Sequence, residues 1–361
     1  MVKIKIVSVF SSEKGILDGF SLILDALSLI MNKSIYADPN AHYGTGCWEG
    51  IRCNDGNIFR LDDHVNRLIA SAKITHTPLP LDWCRENSVG LITIIKNFFR
   101  ESFSQPINKI YKCLNEKEIQ EKIKEGIILA AKDHAKKTGE NGFYIRPSIF
   151  LKYGEMSLDQ SANTSTFRVV TWPWGDYHKE NVINSGIDVI VSQYSKECGH
   201  PEFMKAKTPP NYGLSVMEKI DAKKKGYLDA LFLNRDGSVA EATGANIFVV
   251  QNRKIYTPAS DIPEILNGVT RDSVIQLLRS HEYDVTETTF RTNFMYEAEE
   301  VFLTGTASRV VPVVSITDVD GCKHVIGDGK PGTLTKKAYE RYMSAIHGEI
   351  PSFRHWLTKV E

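Results

Sequence analysis

Met204-Lys-Ala-Lys-Thr-Pro-Pro-Asn-Tyr212 opens the stretch whose reading decides the fold, and Val239-Ala-Glu-Ala-Thr-Gly-Ala-Asn-Ile-Phe-Val-Val250 closes it. Between them lies a segment of helical period, with Leu214, Met217, Ile220 and Ala222 ahead of Lys223 to Lys225, followed by the strand-like run Asp229-Ala-Leu-Phe-Leu-Asn234. The turn Asn234-Arg-Asp-Gly237 sends the chain back as a second strand. By periodicity alone this is a helix and a hairpin, and a lysine ahead of a helix is ordinarily a solvated side chain.

Working outward, His42-Tyr-Gly-Thr-Gly-Cys-Trp-Glu-Gly-Ile-Arg52 is followed by a hairpin around Asn54-Asp-Gly-Asn57 and then by Phe59-Arg-Leu-Asp-Asp-His-Val-Asn-Arg-Leu68. The spacing of Leu61, His64 and Leu68 predicts a helix capped at Asp62/Asp63 that carries Arg67. A second helix, with Ile119, Ile123, Ile127 and Ala130 on one side, is expected to stop at Gly139. Phe143-Tyr-Ile-Arg-Pro-Ser-Ile-Phe150 reads as a strand whose pairing Pro147 limits, and Arg168 to Tyr177 as a strand entering an aromatic loop. Downstream, Ile265-Leu-Asn-Gly-Val-Thr270 opens directly into a helix bearing Val274, Leu277 and Leu278, and such a terminus suits a phosphate. Glu300 to Val314 supplies a strand, a turn of small residues at Thr304-Gly-Thr-Ala307, and another strand, where backbone amides can approach an anion.

Taken together, Lys207, Asn211-Tyr212, Glu241, Gly244 and Asn246-Ile247-Phe248, with the motifs at His42 to Arg52 and at Tyr144 to Pro147, resemble the branched-chain aminotransferase family. The resemblance runs from Ala41 to about Gly332. It implies a fold-type IV enzyme using pyridoxal 5'-phosphate, of α+β two-domain architecture like D-amino-acid aminotransferase. A small α/β domain is expected over residues 1–170, an interdomain loop over 171–180, and a larger, β-rich cofactor-binding domain over 181–361. An insertion near 83–113 decorates the small domain.

The resemblance also assigns roles. Lys207 forms the Schiff base and shuttles the proton, although Lys205 is an obvious competitor two residues away. Tyr212 donates toward the cofactor's phenolic oxygen, and Glu241 keeps the ring nitrogen protonated. Arg67, Leu266, Val269, Thr270 and Thr306 complete the cofactor site, the arginine fork being well shaped for the phosphate. Tyr43, Trp48, Tyr144, Arg146, Tyr177, Thr306 and Ala307 face substrate, with Arg146 on the distal carboxylate of glutamate or α-ketoglutarate. Trp174 is a further candidate for the pocket wall, a packing role for Trp172 and Trp174 weighing about the same. Trp48 stands where phenylalanine is usual, and either narrows the substrate pocket or packs into the small domain. Ala245 replaces a common acidic residue, and Thr208-Pro209-Pro210 stands where small flexible residues are usual. The expected reaction is reversible amino transfer between branched-chain L-amino acids and α-ketoglutarate. The rivals are a lyase of the same fold resembling aminodeoxychorismate lyase, a D-amino-acid or specialised aminotransferase, and a weakened cofactor-binding relative.

Composition limits the alternatives. The 361 residues hold 44 basic and 44 acidic side chains, so no net field draws the chain to nucleic acid or an anionic membrane. A small, locally recognised partner is favoured; the resemblance implies amino acids and 2-oxo acids, in a homodimer or higher assembly. The six cysteines form no Cys-x-x-Cys pair or zinc spacing, and the histidines no ligand cluster, so no metal site is expected and reduced thiols in the cytoplasm are. Val2 to Phe10 alternates like a strand. Gly15 to Met31 places Asp18, Ser21, Asp25 and Ser28 on one helical face, which marks an amphipathic helix, not a membrane span.

Overall fold

The computed structural model describes residues 39–79, 115–151, 157–161, 163–175, 181–196, 200–260 and 265–360. The expected strand and helix before residue 39, and the whole of the 83–113 insertion, lie outside them.

Two sheets organise the described residues. The first contains β1 (Cys47–Trp48), β2 (Ile51–Asn54), β3 (Asn57–Phe59), β4 (Phe143–Leu151) and β5 (Ser165–Trp172). The C-terminal strand Leu357–Lys359 crosses back to pair with β3. Asp55 and Gly56 close the β2–β3 hairpin with φ of 48° and 71°, the left-handed pair such a tight turn requires. On one side β4 pairs with β5 along its length; on the other, residues 143–145 pair with β2 and 148–149 with β1. Pro147 stands in the gap between those two pairings, where its missing N–H costs nothing, and its carbonyl accepts from the Glu49 amide at 2.9 Å.

Two helices cover one face of this sheet. Ile51, Ile58, Leu61, Val65 and Leu68 pack with Ile119, Ile123 and Ile127 into one core. The helix Glu116–Thr138 begins at a capping box formed by Asn115 and Glu118 and ends at Gly139 with φ 73°. The helix Leu61–Ile74 departs from the expected Asp62/Asp63 cap: it starts a residue earlier, after Arg60 at φ 51°, and no side chain caps it. Asp63 instead accepts from Arg60 Nε at 2.7 Å, and Arg60 Nη1 reaches Asp272 Oδ2 at 2.5 Å and Ser273 Oγ at 3.1 Å. Arg60 thus joins two helices that both border the site described below.

The second sheet is larger, with β6 (Ile187–Ser195), β7 (Asp229–Leu233), β8 (Val239–Ala242), β9 (Asn246–Gln251), β10 (Lys254–Thr257), β11 (Val285–Glu287), β12 (Glu300–Gly305), β13 (Arg309–Thr317) and β14 (Lys323–Val325). Its two faces are buried in separate cores. One holds Val189, Ile247, Val249, Leu303 and Val311, and the other holds Phe248, Phe302, Ile275, Leu278 and Tyr342 beneath the helices Val269–Arg279 and Thr333–Ile346. Alternation of side chains along β9 and β12 produces this division directly.

In the helix Pro210–Lys224 the predicted apolar set divides: Leu214 and Ala222 face inward, Met217 and Ile220 outward. The helix buries Asn211, Ser215, Glu218 and Ala222, while Val216, Met217 and Ile220 are each at least half exposed. Its inner face is held by the Lys219–Asp229 pair at 2.6 Å and by tethers around Lys207, not by an apolar stripe.

Candidate active site

Lys207 lies between the helices Pro201–Met204 and Pro210–Lys224, and its main chain is gripped by the first sheet and the helix Leu61–Ile74. Its N–H donates to Ser71 Oγ at 2.9 Å, and its carbonyl accepts from the Trp48 amide at 3.1 Å. Thr208 Oγ1 donates to the Gly46 carbonyl at 2.7 Å, and Asn211 Nδ2 closes the loop onto the Phe203 and Ala206 carbonyls. The prolines initiate the next helix: Pro210 takes a first-turn position where no N–H is needed. Lys207 Nζ touches the Tyr212 hydroxyl and sits 4.1 Å from the centre of the Trp48 ring. Burial first, and then the Arg67 charge, lowers its pKa to about 7. Lys205, by contrast, pairs with Glu202 at 2.9 Å on the surface.

The cleft around Lys207 is also lined by Arg67, Lys196, Tyr212, Glu241 and Asn246, by Leu266 and Gly268–Thr270, and by Thr304–Thr306. At one end, Arg67 binds Glu49 through Nε at 2.6 Å and Nη2 at 2.7 Å, and its Nη1 reaches the Asn267 carbonyl at 2.8 Å. Glu49 is fully buried and also meets His64 Nδ1 at 2.8 Å. Burial would raise the Glu49 pKa, but the charge and hydrogen bonds of Arg67, with those of His64, hold it well below the usual carboxylate range. Burial lowers the pKa of His64, so the neutral ring donates Nδ1–H to Glu49.

Beside Arg67, the helix Val269–Arg279 starts at Gly268 with no side-chain cap. A Cβ at Gly268 would run into the Asn246 side chain, so only glycine lets this helix terminus approach. Facing it is the Gly305–Arg309 turn. Arg52 holds that turn by donating to the Thr306 carbonyl at 3.0 Å and to the Ala307 carbonyl at 2.8 Å, and it also reaches the Trp174 and Gly175 carbonyls.

At the other end of the cleft stands Glu241 on β8. Its Oε2 accepts from Asn246 Nδ2 at 2.8 Å and from the Leu266 amide at 3.2 Å, and its Oε1 contacts Lys196. Burial, followed by the Glu241 charge, raises the Tyr212 pKa, so the phenol stays protonated and available as a donor.

The opposite wall is aromatic. Trp48 lies 4.9 Å from the Tyr212 ring, and the Arg146 guanidinium stacks 4.1 Å from the Trp48 ring centre, with Tyr144 and Trp172 also within 5.6 Å. Trp174 packs 4.4 Å from Tyr144. Trp48, Tyr144 and Arg146 therefore converge with Lys207, and Ala307 joins them through Arg52. Tyr43 stands in the short helix Pro39–Tyr43 and is 41% exposed. Tyr177 lies outside the described residues. The residues that sequence reasoning missed are Glu49, Arg52, His64, Ser71 and Lys196. Glu49 and Arg52 carried a signal, as charges within an otherwise apolar strand motif.

Residues 107–316, more than half of the chain, match the family model for amino-transferase class IV. The branched-chain-amino-acid aminotransferase of Escherichia coli (strain K12) is 29% identical over 324 residues, covering 88% of this chain and 90% of that protein. Among solved structures, the branched-chain aminotransferase of the thermophilic archaeon Thermoproteus uzoniensis with norvaline is similar with a TM-score of 0.71 at 26% identity, covering 90% of this chain and 93% of that one. The branched-chain amino acid aminotransferase of Thermobaculum terrenum in its PLP-form has a TM-score of 0.68, also at 26% identity, covering 88% and 90%. The family model, the extended likeness in sequence and the shared fold make this chain a member of the class IV aminotransferases.

Proposed function

We propose that this protein is a pyridoxal 5'-phosphate-dependent aminotransferase that exchanges the amino group of branched-chain L-amino acids with α-ketoglutarate. The observation that carries the proposal is the enclosed Lys207 amine, with its pKa lowered to about 7, standing between an anion cup and a fixed carboxylate. The relatives named above, one in its PLP-form and another with norvaline, support the same reading.

The residues suit the cofactor. Thr304 Oγ1 is buried in the cleft wall without a hydrogen-bond partner among the described residues, and the uncapped helix start at Val269 supplies amides to an anion. Arg67, Val269, Thr270 and Thr306 would hold the phosphate, Tyr212 the phenolic oxygen, and Glu241 the ring nitrogen, with Leu266 bracing Glu241 through its amide. When bound, the cofactor supplies an aldehyde that captures the substrate amine and a cationic ring that accepts electrons from the α-carbon.

The protein's part is positional and acid–base. Near neutral pH a large fraction of Lys207 is uncharged, so its Nζ can attack a carbonyl, and later take and return the α-proton. The Tyr212 hydroxyl beside Nζ orients it. Glu241, anchored by Asn246 and Leu266, holds the proton of the ring nitrogen in place. Arg146, stacked on Trp48 with its Nε buried and unsatisfied, binds a distal carboxylate, while Trp48, Tyr144 and Trp174 enclose an apolar side chain. Tyr177 and Tyr43 complete the proposed substrate set.

We also propose a homodimer, located in the cytoplasm. The outward face of Val216, Met217 and Ile220 on the helix bearing Tyr212 is apolar enough to be covered by a second copy. No helix among the described residues is long and apolar enough to cross a membrane.

The test is to load the purified protein with pyridoxal 5'-phosphate, reduce it with borohydride and map the labelled peptide. Label on Lys207 is expected; label on Lys205 or Lys196, or on no lysine, refutes the assignment.

A further inference from the structure

We infer that Glu49 is the positioning residue for the anion cup: by holding Arg67 from behind it fixes which two of the guanidinium N–H groups face a phosphate. The inference rests on the cofactor reading above and adds a residue that reading does not use.

A guanidinium has five N–H donors. Glu49 takes Nε–H and one Nη2–H, at 2.6 and 2.7 Å, and the Asn267 carbonyl takes one Nη1–H at 2.8 Å. One N–H on each Nη remains, a pair able to serve as a two-toothed edge, and Arg67 lines the cleft. Such a two-toothed edge matches two phosphate oxygens, provided the plane of the fork is fixed.

Glu49 fixes that plane because it cannot itself move. It is 0% exposed, its backbone amide is tied to the Pro147 carbonyl at 2.9 Å, and neutral His64 donates to Oε2 at 2.8 Å. The same Pro147 tie links it to the strand bearing Arg146, while the neighbouring Trp48 amide reaches the Lys207 carbonyl. Arg67 is therefore placed against Lys207 and the aromatic wall through one short segment, Trp48-Glu49-Gly50.

Two effects of opposite sign compete when the charge is removed. Glu49 offsets the Arg67 charge and repels a phosphate dianion, so as a mere counter-ion its loss would strengthen phosphate binding. As a positioning group its loss leaves Arg67 free to rotate and forfeits a charge-assisted hydrogen bond, so binding weakens. The geometry favours the second effect: both carboxylate oxygens are engaged and the site is closed to water on that side.

The experiment measures dissociation constants of the cofactor-free protein for pyridoxal 5'-phosphate and for pyridoxal, which lacks the phosphate, by equilibrium dialysis. Glu49→Gln keeps the shape and removes the charge. We expect the constant for pyridoxal 5'-phosphate to rise about tenfold, the equivalent of one lost charge-assisted hydrogen bond, with less than about a twofold change for pyridoxal. Glu49→Asp, which keeps the charge but is shorter by one methylene, should behave like Glu49→Gln. Tighter binding of pyridoxal 5'-phosphate by Glu49→Gln, equal losses for both ligands, or full rescue by Glu49→Asp overturns the positioning role. Should Glu49→Gln fail to fold, His64→Gln applies the same test through the bond to Oε2, with a rise of about threefold confined to the phosphorylated ligand. Wild-type protein that binds pyridoxal as tightly as pyridoxal 5'-phosphate would instead refute the cofactor reading, and the inference with it.

Discussion

Lys207 should behave as an amine with a pKa of about 7, and the rate at which the cofactor-free protein captures an aldehyde should show it. Only the neutral amine attacks a carbonyl. With that pKa, about one-tenth of Lys207 is neutral at pH 6, half at pH 7 and nine-tenths at pH 8, whereas an ordinary lysine is neutral in only about one copy in several thousand at pH 7. The sign follows from the causes: burial and the Arg67 cation both disfavour the ammonium, and the Glu49 and Glu241 carboxylates offset them only in part. Loading with pyridoxal, followed by absorbance from pH 5.5 to 9.5, should therefore accelerate about tenfold between pH 6 and 8 and then level off. Pyridoxal serves as the probe because it carries no phosphate to titrate in the same range. Arg67→Gln removes the nearby cation and should move the midpoint to higher pH. A wild-type rate that keeps climbing tenfold per pH unit beyond pH 9 would show that Lys207 is an ordinary lysine and refute the reasoning.

Glu241→Gln should keep the fold and most cofactor binding while lowering turnover by about two orders of magnitude, a loss in the range of one removed electrostatic partner at a reacting centre; near wild-type turnover would contradict its role. Trp48→Phe should raise kcat/KM for leucine relative to valine by about tenfold, within the roughly 1–3 kcal/mol that a misfit methylene costs, and an unchanged ratio in loaded protein would return Trp48 to a packing role. Arg60→Ala removes bonds to Asp63 and Asp272, but both carboxylates are about two-fifths exposed and water re-solvates them, so the expected loss is about 2 kcal/mol by urea unfolding, and less than about 0.5 kcal/mol would show the clasp to be incidental. Met217→Asp should convert the proposed dimer to monomer in sedimentation velocity, and an unchanged sedimentation coefficient would place the interface elsewhere.

Local pattern carried much of the fold. The stop at Gly139, the turn at Asp55-Gly56 and the helix opening at Val269 depend on neighbours within a few residues, and they stand where the sequence places them; the capping box at Asn115 is equally local but was not read. What local pattern could not supply is which side of an element faces inward. The helix Pro210–Lys224 has an apolar period, yet it buries Asn211 because the Phe203 and Ala206 carbonyls that this side chain reaches are fixed by tertiary structure. The start of the helix Leu61–Ile74 was misplaced for a similar reason: the distant Asp272 helps hold Arg60 in its left-handed turn, and the capping aspartate is spent on that arginine.

The candidate site divides in the same way. Resemblance placed Lys207, Tyr212, Glu241 and Arg67, and these line one cleft. Arg52 escaped notice because its acceptors at Thr306 and Ala307 lie 254 and 255 residues away, and Glu49 because a lone acid in a strand motif discloses no partner.

The most direct test of the central claim is a half-reaction panel on the cofactor-loaded protein, with L- and D-amino acids added singly and absorbance following the passage from the aldehyde-derived form to the pyridoxamine form. The account predicts conversion by L-valine, L-leucine and L-isoleucine, reversal on adding α-ketoglutarate, and no conversion by the D-enantiomers. Conversion by D-amino acids alone, or pyruvate release from a lyase substrate with no pyridoxamine form, would contradict it.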